Sequence, residues 1–300
     1  MSDQTLAPGA AIARRTARRR ARPGATDESA VLRLGAILLV TALSALLLFA
    51  PLAVVFAEAL AAGWTVALAS LSAPEAREAI ALTLTVAAIA VPLNAAFGIA
   101  AAWAIAKFDF RGKTLLVTLI DLPFSVSPVV AGLALVLVFG SHSALGAWLI
   151  AHDLKVVFAL PGIVLATLFI TFPFVARELI PVMVEQGRTE EEAALTLGAS
   201  GWRTFRTVTL PNIRWALLYG VLLCNARAMG EFGAAAVISG KIRGETTTMP
   251  IMIEMLYNEY LSVAAFSLAA VLALLALLTL ALKSLLEWRH ADVLAATRRH

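Results

Sequence analysis

From Leu34 to Ala57 the chain carries no charged side chain, and apolar residues fill nearly every position. A run of this length matches the roughly 20 residues that an α-helix needs to cross a bilayer. Within hydrocarbon every backbone N–H and C=O must be satisfied inside the segment, so the run has to be helical. Similar runs recur at about 79–106, 114–139, 156–176, 213–238 and 261–286. Together they predict an all-α, polytopic membrane protein with six transmembrane helices. Composition agrees: of 300 residues, 60% are hydrophobic and 15% are charged, against about 25% charged in soluble domains.

The charges between the runs set an orientation, because Lys and Arg concentrate on the cytoplasmic side. Most of the 24 Lys and Arg fall in 1–33, 107–113, 177–212 and the segment from Lys283 onward, whereas Arg77, Lys155, Lys241 and Arg243 fall in the alternate segments. This predicts both termini in the cytoplasm. Residues 1–33, with Arg14, Arg15, Arg18, Arg19, Arg20 and Arg22, read as a basic tail beside anionic membrane lipid. Nothing else in the chain supports a nucleic-acid partner. Residues 34–289 read as the membrane domain and 290–300 as a C-terminal tail. The apolar run after the basic tail is too long for a cleaved signal peptide.

One polar block, Glu190–Pro211, interrupts this pattern. Thr189 with Glu192 three residues later is a capping-box spacing. The carboxylates of Glu190, Glu191 and Glu192 suit the positive end of a helix dipole. Gly198 can take the left-handed conformation that ends a helix. A second short helix can start near Ser200 and carry Trp202, Phe205 and Val208. Pro211 suits the first turn of a further helix. The expectation is helix, glycine bend, helix, on the cytoplasmic side. Its apolar residues, Leu195, Leu197, Trp202 and Phe205, need a cover. Spacing alone leaves two covers open, another protein or the lipid headgroups.

Three runs hold residues that lipid does not favour. Pro92 and Asn94 interrupt the second. Asp121, Pro123 and Pro128 interrupt the third. Such breaks suit kinked packing or helices that line a path. The fifth run contains Asn225, Arg227 and Glu231. Arg227 and Glu231, four residues apart, share a helix face and can pair. Near mid-bilayer each charge costs about 2.5–3.5 kcal/mol, so neither should face lipid. An internal lock between helices and a border of a translocation path both fit.

Other chemistries find little support. A single cysteine, Cys224, leaves no internal disulfide or cysteine metal cluster. The four histidines, His142, His152, His290 and His300, lie outside the apolar runs, so no catalytic or metal role is expected. No P-loop and no HExxH motif is present. Gly198-Ala199-Ser200-Gly201 resembles the nucleophile motif of rhomboid-type intramembrane proteases, but serine chemistry needs a base within reach, and no apolar run holds a histidine. Span count alone also admits a channel or a secondary transporter.

The polar block carries a narrower signal. Glu192-Ala193-Ala194, three residues, Gly198, nine residues and Val208-Thr209-Leu210-Pro211 resemble the EAA motif of permease subunits of ATP-binding-cassette importers, with Val208 in place of Ile. Further stretches, KFDFRGK (107–113), LPFSVSPVVAGL (122–133), TFPFVARELIP (171–181) and NARAMGEFGA (225–234), resemble the sulfate/thiosulfate permeases of the CysW type, with molybdate/tungstate permeases as near relatives. The resemblance implies a type I importer permease with a MetI-like fold in the bacterial inner membrane. It implies ATPase subunits that hold ATP and Mg²⁺, a sister permease, and a periplasmic or lipid-anchored sulfate-binding protein. The chain would carry no cofactor or catalytic residue of its own. Glu192, Ala193, Ala194, Gly198, Leu210 and Pro211 would form the ATPase-coupling loop, 185–212. Arg227, Glu231, Asn225 and Asp121 would be candidates for the pathway or its gate.

Overall fold

The structure, a computed structural model, describes residues 30–289. Residues 1–29 of the tail expected over 1–33 lie outside the described residues, as do the tail 290–300, His290 and His300, whereas residues 30–33 already belong to the first helix. The chain divides into a unit ending at Ala53 and a second beginning at Val54. The first unit is the leading part of α1 (Ala30–Ala59), long and apolar enough to cross a membrane.

The second unit is built around α7 (Leu160–Gln186). It is flanked by α3 (Pro74–Lys107) and α10 (Leu210–Met229). Small residues permit the close approach. A Cβ at Gly98 of α3 would lie 2.6 Å from the Val175 side chain, and one at Gly220 of α10 would lie 3.1 Å from the Val175 Cα. Around this crossing Val91, Val175, Leu179, Met183 and Ile213 are buried together. A polar knot ties the same three helices. Asn94 Nδ2 donates to Thr171 Oγ1 at 2.6 Å and lies 3.6 Å from Cys224 Sγ.

Two expected spans are broken. Residues 114–139 were expected as one span; they form α4 (Lys113–Ser125) and α5 (Pro128–Phe139), bent by 110°. The residue before a proline is driven out of the helical region, and Ser127, preceding Pro128, sits at φ −58°, ψ 134°. Residues 213–238 divide as well: α10 stops at Met229, and α11 (Gly233–Ile238) follows a break at Gly230–Phe232. The two breaks pack on each other. A Cβ at Gly132 would meet the Ala234 carbonyl at 2.7 Å, and one at Gly233 would meet Pro128 at 2.8 Å. Among the described residues, five helices are long and apolar enough to cross a membrane, or six if the bent pair counts as one span.

The fourth run was expected to end at residue 176, yet α7 continues ten residues to Gln186. Arg177 and Glu178 end the apolar run, not the helix. The stop comes at Gly187, whose φ 64° and ψ −155° suit glycine almost alone.

At the opposite end of the unit from Gly187 lie short α2 (Trp64–Ser72), α6 (Ala144–Ala151) and α12 (Met249–Asn258). The last helix, α13 (Ser262–Arg289), returns from that end. Arg243 joins Glu75 of α3 to Glu259 after α12 there. Its pKa is pushed further up, chiefly by the hydrogen bond to Glu259, with Glu75 adding to the effect.

Candidate functional site

The polar block folds as α8 (Thr189–Thr196), a bend at Gly198, and α9 (Gly201–Thr204). Gly198 has φ +87°, and a Cβ there would meet open space. The glycine is therefore required by backbone conformation rather than by crowding. Ser200 caps α9, its Oγ accepting from the Arg203 N–H at 3.4 Å.

The expected capping box does not form. Arg188 is the N-cap of α8 and makes no side-chain cap. The first-turn carboxylates have other partners. Glu190 accepts from Asn212 Nδ2, and Glu191 accepts from Thr209 Oγ1 at 2.7 Å and pairs with Lys107 at 3.2 Å. Glu192 and Ala193 stay on the exposed side with Leu195 and Leu197, the latter 89% exposed, while Ala194 is half-buried.

Pro211 lies in the first turn of α10, as expected, but α10 is not a separate helix. Residues 201–229 run as one helix, made continuous by a π turn at Phe205–Thr209. A proline inside an α-helix leaves one carbonyl without its N–H and crowds it with the ring. The wider π turn, in which the Leu210 N–H donates to Phe205 O, takes up that mismatch. Leu210 packs against the core around Val175, and Pro211 is exposed. Trp202 stacks on Phe205 at 5.6 Å and is 72% exposed. Leu195, Leu197 and Trp202 thus form an uncovered apolar surface beside Glu192.

The charged candidates in the spans fall into separate groups. Arg227 Nη1 lies 2.6 Å from Glu231 Oε2. Glu231 does not share the helix with Arg227 as expected. It sits in the break after α10, where its Oε1 accepts from the Ala234 N–H at 2.9 Å and so caps α11. The Glu231 side chain is almost wholly buried, and that of Arg227 is one-third exposed. Asp121 on α4 meets Arg177 on α7 through two contacts, 2.9 and 3.3 Å. The Arg177 guanidinium also stands 5.1 Å over the Phe124 ring. Asn225 faces elsewhere, into a groove among Leu84, Val91 and Thr279. Among the described residues no cluster of His, Cys, Asp and Glu has the make-up of a metal site.

Sequence reasoning passed over Glu191, Lys107, Arg177 and Asn94 as site residues. For Lys107 the signal was its place in the last turn of α3. For Arg177 it was adjacency to an apolar run, which placed it in a loop.

The family described as binding-protein-dependent transport system inner membrane component matches residues 94–290. The sulfate transport system permease protein CysW of Escherichia coli (strain K12) is 55% identical over 246 residues, 82% of this chain and 84% of that one. CysW of Synechocystis sp. is 52% identical over 244 residues, 81% of this chain and 88% of its own. A bacterial alginate ABC transporter, solved with an alginate pentasaccharide-bound periplasmic protein, shares the fold. Its TM-score is 0.67 at 17% identity, over 87% of this chain and 95% of that chain. The chain belongs to the binding-protein-dependent transport system inner membrane component family: it is a permease subunit of an ATP-binding-cassette importer, a transport protein that works with an ATPase and a substrate-binding protein rather than an enzyme.

Proposed function

We propose that the chain is a transmembrane subunit through which sulfate, and with it thiosulfate, enters the cell. The observation that carries this reading is the 55% identity to a sulfate permease over most of both chains. Residue chemistry supports it. A dianion crossing hydrocarbon needs fixed positive partners, and the planar guanidinium fork suits tetrahedral oxyanions. Arg227 and Arg177 each keep part of the side chain uncovered. Their places on the pathway, and those of Asp121, Glu231 and Asn225 as gate residues, belong to this proposal.

In this reading a sister permease pairs with this chain, and a periplasmic or lipid-anchored protein delivers the anion. ATP and Mg²⁺ sit in the partner ATPases. Those subunits take up the surface of Leu195, Leu197 and Trp202, with Glu192, Ala193, Ala194 and Gly198 shaping the knob. Both termini and the coupling loop are cytoplasmic, consistent with the concentration of Lys and Arg in those segments. ATP binding draws the two ATPases together, moves the docked loops and turns the pathway outward. Hydrolysis returns it.

Labelled sulfate uptake tests the reading, measured in cells lacking the chain and in cells with it restored, with and without excess molybdate. Uptake lost on deletion, recovered on restoration and little changed by molybdate is the expected result. Uptake of molybdate but not sulfate through the restored chain would overturn the choice of anion.

A further inference from the structure

The coupling loop is fastened to the membrane helices by one buried charge. Lys107 closes α3, and its side chain is 6% exposed. Its ammonium donates to the carbonyl of Gly187, the residue that caps α7. It also pairs with Glu191 of α8 at 3.2 Å, and that carboxylate side chain is 16% exposed. The same Glu191 oxygen accepts from Thr209 Oγ1, at the end of the π turn leading into α10. One lysine therefore reaches the ends of α3 and α7, the first turn of α8 and, through Glu191, the entry to α10. The other polar ties of this loop among the described residues, Arg188 to Asp109, Asn212 to Glu190 and Gln186 to the Asn212 carbonyl, are exposed, and Phe205 adds an aromatic contact to Trp103 of α3.

We infer that Lys107 is the joint that passes movement of the coupling loop into the membrane helices, an inference that rests on the ATP-driven reading above. Its geometry suits the task. α8 is a short helix with few apolar contacts of its own, and its outer face carries the uncovered Leu195 and Leu197. A pull on that face has to leave through the inner face, and there the only buried ion pair among the described residues of the loop is Lys107–Glu191. Beyond it α3 and α7 are in close contact at Gly98 and Val175, so displacement of their joined ends moves the pair together. A buried pair adds little net stability over apolar residues of the same size, and its retention is better explained by the geometry it fixes. Lys107 is a positioning residue: it reaches neither nucleotide nor anion.

The test uses the full complex in liposomes, with both permeases, the ATPases and sulfate-loaded binding protein. The readout is sulfate moved per ATP hydrolysed. Lys107→Met keeps the volume and removes the charge. Its stimulated ATP hydrolysis should persist while sulfate per ATP falls about tenfold, within the range that coupling energies between sites span. Lys107→Arg keeps the charge and should retain coupling. Lys107→Met leaves the Glu191 carboxylate alone, so Lys107→Met with Glu191→Leu removes both charges. That double variant should assemble at the wild-type level and remain uncoupled. Wild-type coupling in Lys107→Met or in the double variant would overturn the inference. A wild-type complex that hydrolyses ATP without moving sulfate would instead overturn the functional reading on which the inference rests.

Discussion

Neighbouring glutamates have different tasks in α8. Motif spacing singles out Glu192, which stays exposed, whereas Glu191 turns inward to Lys107 and Thr209. Sequence could not separate them, because a helix of eight residues presents too little periodicity to reveal its buried side. Arg227 and Glu231 show the opposite case: their pairing was readable from spacing, although Glu231 lies beyond the helix end. The pair makes a definite prediction. Arg227→Ala leaves a buried carboxylate without its partner, a loss of about 3–5 kcal/mol. The amount of protein in the membrane, followed by immunoblot, should fall sharply. Arg227→Ala combined with Glu231→Gln should restore that amount, because a glutamine oxygen can still accept from the Ala234 N–H. If Arg227 serves the anion, the double variant remains poor in uptake.

At the scale of elements, the apolar runs located the helices, and the prolines and charges within them misplaced some ends. A charge stops a hydropathic run without stopping a helix: α7 passes Arg177, which is half-exposed and pairs with Asp121. Of the prolines within the runs, Pro128 is the one preceded by a residue in extended backbone, Ser127, so DLPFSVSP became a bend of 110° rather than a kinked span. The helix–glycine–helix reading of the polar block Glu190–Pro211 holds as local structure, including the positive φ of Gly198. Gly198→Val should place a branched side chain in the left-handed region at a cost of about 1–2 kcal/mol. The protein should insert normally and lose most of its uptake. Gly198→Asn, a residue that visits this region, should keep more. The packed breaks give a second test. Gly132→Val drives its side chain into the Ala234 carbonyl, an overpacking cost of about 1–3 kcal/mol. The purified protein should melt at a lower temperature, while Gly201→Ala, which meets no neighbour, should leave melting unchanged.

For the molecule as a whole, the class of transporter follows from the family match over residues 94–290 and from the sulfate-permease relatives, and the arrangement of the chain agrees with it. The second unit holds a tightly packed set of α3, α7 and α10, with charged breaks in its spans and a polar loop at one end whose outer face is apolar and uncovered. A channel needs no such loop. A secondary transporter needs no partner to cover Leu195, Leu197 and Trp202. These surfaces suit the docked ATPase of the function proposed above. The most direct measurement is sulfate accumulation in liposomes that contain the whole complex, with and without ATP on the side of the coupling loop. Accumulation above the external concentration that requires both ATP and loaded binding protein is the predicted result. Sulfate that merely equilibrates, at the same rate without ATP, would contradict the account.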